Sequence, residues 1–186
     1  MLNFKTHFNL AGKHAFLSPS SYHWINYTQD HLDERFYTAV AAERGTKLHE
    51  FAKDAIDLGV KLREDGSTLS LYVNDAIDLF LTPEQVLYYS ENCFGTADSI
   101  GFDGNLLRIH DLKTGASPTS ESQLMVYAAI FCLEYGIRPF EIDMELRIYQ
   151  TNEVRVYDSI NPGDVAHIMD TIIQFDKRIE LLKASR

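Results

Sequence analysis

The sequence is poor in the residues that staple, anchor or charge a chain for one special task. It has two cysteines, Cys93 and Cys132, far apart and in no C-x-x-C spacing. Four thiolates for a zinc ribbon or an iron–sulphur cluster are lacking, so this chain alone is expected to hold neither, and two packed, reduced thiols are the simplest reading. No run approaches the roughly 20 apolar residues of a membrane span, and the opening MLNFKTHFNLAGKH has no signal-peptide apolar stretch. No G-x-x-x-x-G-K-[ST] occurs, which leaves out a P-loop and its nucleotide. Basic residues are few, 17 against 27 acidic, giving a net charge of −10. That balance argues against a protein that coats nucleic acid through Lys and Arg. It leaves open an enzyme whose own site is crowded with carboxylates. Repeats, low-complexity tracts and Pro/Gly/Ser linkers are also lacking.

What remains is an ordinary globular composition, 45% hydrophobic and 24% charged over 186 residues, enough to bury a sheet and several helices. A single cytoplasmic domain is expected, with a core over about 36–186 and an N-terminal extension over 1–35. In the extension, Ser18 or Ser20 of LSPSS caps a helix through Tyr22, Trp24 and Ile25. Helical spacing runs from about Phe36 to Arg63 and again from about Ser70 to Phe80. Then the period changes: QVLYYSENCF, GTADSIGFDG and NLLRIHDLK read as three strands, with a hairpin turn at FDGN. A helix over about 120–135, strands EIDMELRIYQ and VRVYDS around the turn TNE, and a helix opened by Asn161-Pro162-Gly163-Asp164 complete the chain. This order predicts an α/β fold, a mixed central sheet flanked by helices.

Four short blocks carry chemistry. In the third strand Asp111 and Lys113 are two apart, so both project to one face, while His110 and Leu112 take the other. An ion pair on an edge strand would satisfy that spacing equally well. The hairpin changes the balance, because it folds the strand of Asp98 back against that of Asp111 and brings two carboxylates together. Such oxygen-rich sites suit Mg²⁺ or Mn²⁺, and a nearby lysine can hold or polarise water for attack on a phosphate. The Leu112 carbonyl is a further hard ligand. Gly115 and Pro118 make a short connection to a helix on which Gln123 and Tyr127, four apart, share a face. Upstream, Gly45 and His49 lie one helical turn apart in RGTKLHEF, and a glycine there costs about 1 kcal/mol relative to alanine, a sign that something must approach closely.

Together, R-G-T-x-x-H at 44–49, G-T-A-D at 95–98, D-L-K-T-G at 111–115 and Q-x-x-x-Y at 123–127 resemble the PD-(D/E)XK nuclease superfamily in its RecB-like, lambda-exonuclease-like branch, without an iron–sulphur cluster. The resemblance implies a restriction-endonuclease-like core and a divalent-metal-dependent deoxyribonuclease, an exonuclease on single-stranded DNA or linear ends that leaves 5′-phosphates. It implies one or two Mg²⁺ or Mn²⁺ ions held by His49, Asp98, Asp111, the Leu112 carbonyl and an additional acid, Glu91. Lys113 would position water and steady the phosphate, and Gln123 and Tyr127 would orient the site and touch DNA. Arg44, Lys47 and Thr114 are substrate-binding candidates, with Lys53 and Arg108 as further cations. Tyr22, Trp24, Tyr88 and Tyr89 could stack on unpaired bases, with core packing as the competing role. A bacterial or phage-infected cell, recombination or replication partners and an oligomer also accord with the resemblance. The alternative is a nuclease-fold module that no longer cuts and binds DNA or a partner.

Overall fold

A computed structural model describes residues 8–10, 12–115 and 119–185. The chain divides into two compact units, Met1–Arg44 and Gly45–Arg186, with the division inside the first long helix. No helix among the described residues is long and apolar enough to cross a membrane.

In the first unit, a 3-10 helix over Pro19–Asn26 starts where LSPSS was expected to cap a helix, but Ser18 makes no side-chain capping bond. Helix α1, Gln29–Asp57, begins earlier than the apolar spacing suggested. The Thr28 hydroxyl oxygen accepts the His31 N–H at 3.2 Å and so supplies a first-turn cap. α1 also ends before Arg63, because Gly59 adopts φ +64° and the Val60 N–H donates back to Ala55 O, a Schellman-type stop.

The second unit holds α2 (Thr68–Asp78), β1 (Thr82–Ser90), β2 (Cys93–Asp103), β3 (Leu106–Lys113), α3 (Ser122–Tyr135), β4 (Asp143–Gln150), β5 (Glu153–Tyr157) and α4 (Pro162–Ala184). The five strands form one mixed sheet in sequence order. β1–β2, β2–β3 and β4–β5 are antiparallel, while β3 and β4 run parallel and are joined through α3. The expected α/β architecture is thus present. The break between the first two expected strands moves: within QVLYYSENCF, β1 ends at Ser90, Glu91-Asn92 form the turn, and Cys93-Phe94 begin β2. The Asp103–Leu106 turn has Gly104 at φ +61°, a positive φ at its first central residue, as a type II′ hairpin requires. Between Gln150 and Glu153, Thr151 and Asn152 both have positive φ, the pattern of a type I′ turn. Asn152 then serves α2, accepting the Thr68 N–H on its side-chain oxygen.

Each face of the sheet has its own core. Leu87, Leu107, Ile109, Leu146 and Ile148 pack with Leu124, Ala128 and Phe131 of α3 and Val165 of α4. On the other face Leu112 and Tyr149 pack with Ala52, Ala55 and Ile56 of α1 and Tyr72, Val73 and Ala76 of α2. β4 alternates, sending Met144, Leu146 and Ile148 into the α3-side core while Tyr149 packs on the α2 side. His110 lies in the α2-side layer, fully buried, with its pKa pushed down to about 3 by burial and by Arg147 and Arg108. It is therefore neutral. Tyr149 donates its hydroxyl proton to Asp75, so the His110 Nδ1–H donates to Tyr149 Oη, 3.1 Å away. Leu146, wholly buried mid-strand, sets the first test: Leu146→Ala should lower stability by about 2–5 kcal/mol in urea denaturation.

Candidate metal centre

The site begins where two strands part. The β2–β3 ladder ends at Ser99↔His110, and the next opposed residues in that register are Asp98 and Asp111. They do not pair through the backbone. Instead the Leu112 N–H donates to Asp98 Oδ2 at 2.8 Å, so a carboxylate stands in the ladder's place and holds a gap between the strands. In an extended strand a residue's N–H and C=O leave on the same side; the Leu112 carbonyl therefore also faces this gap.

The same level extends to β1. Pairs Pro83↔Ser99 and Gln85↔Ala97 bracket Glu84, placing it opposite Asp98. Glu84 has φ +48°, a left-handed conformation that costs a non-glycine residue roughly 1–3 kcal/mol and often marks a functional site. The alternation of β2 reverses beside it, since Ala97 and Ile100, three apart, both enter the α3-side core. Glu84, Asp98 and Asp111 thus form one row across three strands.

α1 supplies the fourth group. His49 Nδ1 is 3.5 Å from Asp98 Oδ1 and 3.8 Å from Glu84 Oε1. His49, Glu84 and Asp98 offer ligand atoms all within 4.8 Å of one another, a set fit for a divalent cation. Asp111 stands beside this group and is almost fully buried. Its Oδ1 accepts from Lys113 Nζ at 2.9 Å, whereas its Oδ2 has no partner. An orphaned, buried carboxylate oxygen at the edge of a ligand cluster fits a hard cation better than it fits a closed ion pair.

The electrostatics agree with crowded negative charge. Burial raises the Asp111 pKa, opposed by the Lys113 hydrogen bond and reinforced by Asp98. Burial, then Asp98, raises that of Glu84. The adjacent Asp98 carboxylate raises that of His49 against the effect of burial.

The last block reaches the site from α3. Lys113 Nζ also donates to Gln123 Oε1 at 3.0 Å, and Gln123 Nε2 donates to the Tyr127 hydroxyl at 3.3 Å. The start of α3 is held by β4 and β5: Gln150 Nε2 donates to the Gly115 carbonyl, and Arg155 donates to Thr119 O and Oγ1. Pro118 lies outside the described residues. Two glycines permit the close contacts. A Cβ on Gly95 would sit 3.1 Å from the Tyr127 ring, and one on Gly45 would sit 2.8 Å from Thr114 Oγ1.

The structure thus gathers His49, Asp98, Asp111, the Leu112 peptide, Lys113, Gln123 and Tyr127. It does not bring Glu91 with them. Glu91 lies in the β1–β2 turn, seven residues and roughly 20 Å along the strand from Glu84, and accepts a hydrogen bond from Tyr88 Oη. Glu84 is the acid that joins the row. Its place depends on strand register, and nothing in LTPEQ signals it. Arg44 falls in the other unit and is exposed, as is Lys47. Of the other cations, Arg108 is 3.5 Å from Glu145 and Lys53 pairs with Asp57 along α1. Tyr89 packs against the α3-side core, whereas Tyr22 and Tyr88 are exposed. In comparisons with protein-family models, curated proteins and solved structures, no match to this chain was found.

Two outcomes test the centre. Because Asp111, Glu84 and His49 hold protons to higher pH than usual, a cation must displace those protons. Mn²⁺ affinity measured by calorimetry should therefore be full above their raised pKa values and fall as the pH drops through them. Glu84→Gln should weaken Mn²⁺ binding at least about tenfold, as loss of a ligand does, while Glu91→Gln should leave it unchanged.

Proposed function

We propose that the chain is a divalent-metal-dependent deoxyribonuclease of the PD-(D/E)XK type. The observation that carries this reading is the placement of Lys113 on Asp111, whose other carboxylate oxygen is left without a partner beside His49, Glu84 and Asp98. A structural ion pair would use both oxygens or sit on the surface. A binding module that no longer cuts has no chemical use for a buried carboxylate held open next to a lysine.

Glu84, Asp98, Asp111, His49 and the Leu112 carbonyl would hold Mg²⁺ or Mn²⁺. When bound, such an ion supplies positive charge that polarises a phosphate and makes neighbouring water more acidic. The protein's own groups do the remaining work. The Lys113 ammonium, steadied by Asp111 and by Gln123 Oε1, is a donor for a phosphate oxygen or an attacking water. Tyr127, resting on Gly95 and bonded to Gln123, keeps that amide turned so that its oxygen faces Lys113. In the hydrolysis, water oxygen bonds to phosphorus as the bond to the 3′-oxygen breaks. The products are a 3′-hydroxyl and a 5′-phosphate.

The substrate we infer is single-stranded or linear DNA, attacked from an end during DNA recombination, repair or mobile-element processing. Purified protein with Mn²⁺ should degrade linear DNA and spare closed circles, and EDTA should stop it. Asp111→Asn and Lys113→Ala should each lower the rate about a hundred- to a thousandfold, the scale seen when a group that stabilises developing charge is removed, with the circular dichroism spectrum unchanged. A well-folded protein that binds Mn²⁺ and leaves every DNA form intact would replace this reading with the silent module.

A further inference from the structure

Residues 1–44 differ from the rest of the chain in two respects. They carry four Lys and Arg against four Asp and Glu, so residues 45–186, with 13 against 23, hold the whole net charge of −10. They also hold eight of the 22 aromatic residues in under a quarter of the length. Among the described residues of this unit none is fully buried; Phe16, Tyr22, Phe36 and Tyr37 are all exposed. Rings without a core are surface for something else to cover.

The unit also has a pocket. Phe16, Ser21, Trp24, Tyr27, Arg35 and Thr38 line a space of about 290 Å³, at the lower end of the roughly 300–1,000 Å³ of small-molecule sites. It is too small for a helix or strand of a partner. Its lining combines flat carbon surface with one cation and the hydroxyls of Ser21, Tyr27 and Thr38. Trp24 donates its indole N–H to Ser18 O at 2.9 Å, which fixes the ring and leaves its carbon surface as what it offers a ligand. Tyr27 is held on one side by stacking on His31, ring centroids 4.0 Å apart. Stacking surface that is already immobilised loses little entropy on binding.

We propose that this pocket takes one unpaired nucleobase of a single-stranded nucleic acid, stacked against Trp24 and Tyr27, with its phosphate at Arg35. Charge favours this occupant, because the neutral unit is where a polyanion meets least repulsion on a chain otherwise strongly acidic. Stacking of this kind tolerates any base, since each has a π-face. The inference rests on the nuclease reading, and it assigns that activity an anchor for the unpaired strand.

Trp24 is the single tryptophan of the chain, so its emission reports on the pocket directly. The full-length protein in EDTA, where no cleavage occurs, is titrated with a thymidine oligonucleotide. Saturable quenching is expected, equal in Glu91→Gln and weaker by roughly tenfold in affinity for Arg35→Ala and for Tyr27→Ala, the loss of one stacked base or its phosphate contact. A blunt duplex of the same length should quench much less. Arg35 is exposed, so its variant remains informative if Tyr27→Ala unfolds. Unchanged emission over the range in which a labelled oligonucleotide shows binding by anisotropy overturns the pocket and leaves the nuclease standing. Quenching without any Mn²⁺-dependent cleavage retains the pocket and removes the nuclease. An emission shift with protein concentration alone, matched by dimers in sedimentation, overturns it in favour of self-association.

Discussion

The bond from the Leu112 N–H to the Asp98 carboxylate is the constraint on which the site depends. A strand that leaves its neighbour exposes ladder donors and acceptors, and a buried N–H without a partner costs about as much as a lost hydrogen bond. Asp98 removes that cost with one oxygen and keeps the other toward His49. The gap is therefore stable without being closed by backbone pairing. A serine or asparagine could accept the same N–H, but neither would bring a second anionic oxygen to the gap.

Around that gap the protein tolerates local unfavourable terms. Three carboxylates share one level across β1, β2 and β3, Glu84 sits in a left-handed backbone conformation, and Asp111 keeps a buried oxygen unpaired. Lys113 and His49 offset part of the repulsion, as the hydrogen bond to Asp111 and the raised pKa of His49 indicate. Local rules are broken together at one place while the two apolar cores on either side of the sheet obey them. That contrast is how a site set by chemistry differs from one set by folding.

The two halves of the sheet contribute differently. Antiparallel β1, β2 and β3 bring the acids together, and the parallel step to β4 returns the chain through α3. Gln150 and Arg155 hold the far side of that crossover at Gly115 and Thr119. Gln123 is thereby delivered to Lys113 from a different layer. The lysine is held from two sides, and its placement depends on β3, α3 and β4 at once.

Much of this was legible in the residues. Period-two alternation reveals that Asp111 and Lys113 share a face, a tight turn at Gly104 reveals that β2 folds onto β3, and a spacing of four reveals that Gln123 and Tyr127 act together. These are local regularities, set by backbone geometry within a few residues, and sequence alone determined them along with the α/β order of elements. Glu84 and Glu91 could not be told apart that way. Both are acids on or beside β1, and which one stands opposite Asp98 is fixed by a pairing register that only the assembled sheet defines. The same holds for Arg108, whose neighbour Glu145 comes from a strand 37 positions on, and for the oxygen of Asp111 left open. Contacts between distant segments are set by how the cores pack, and tertiary structure alone decided them.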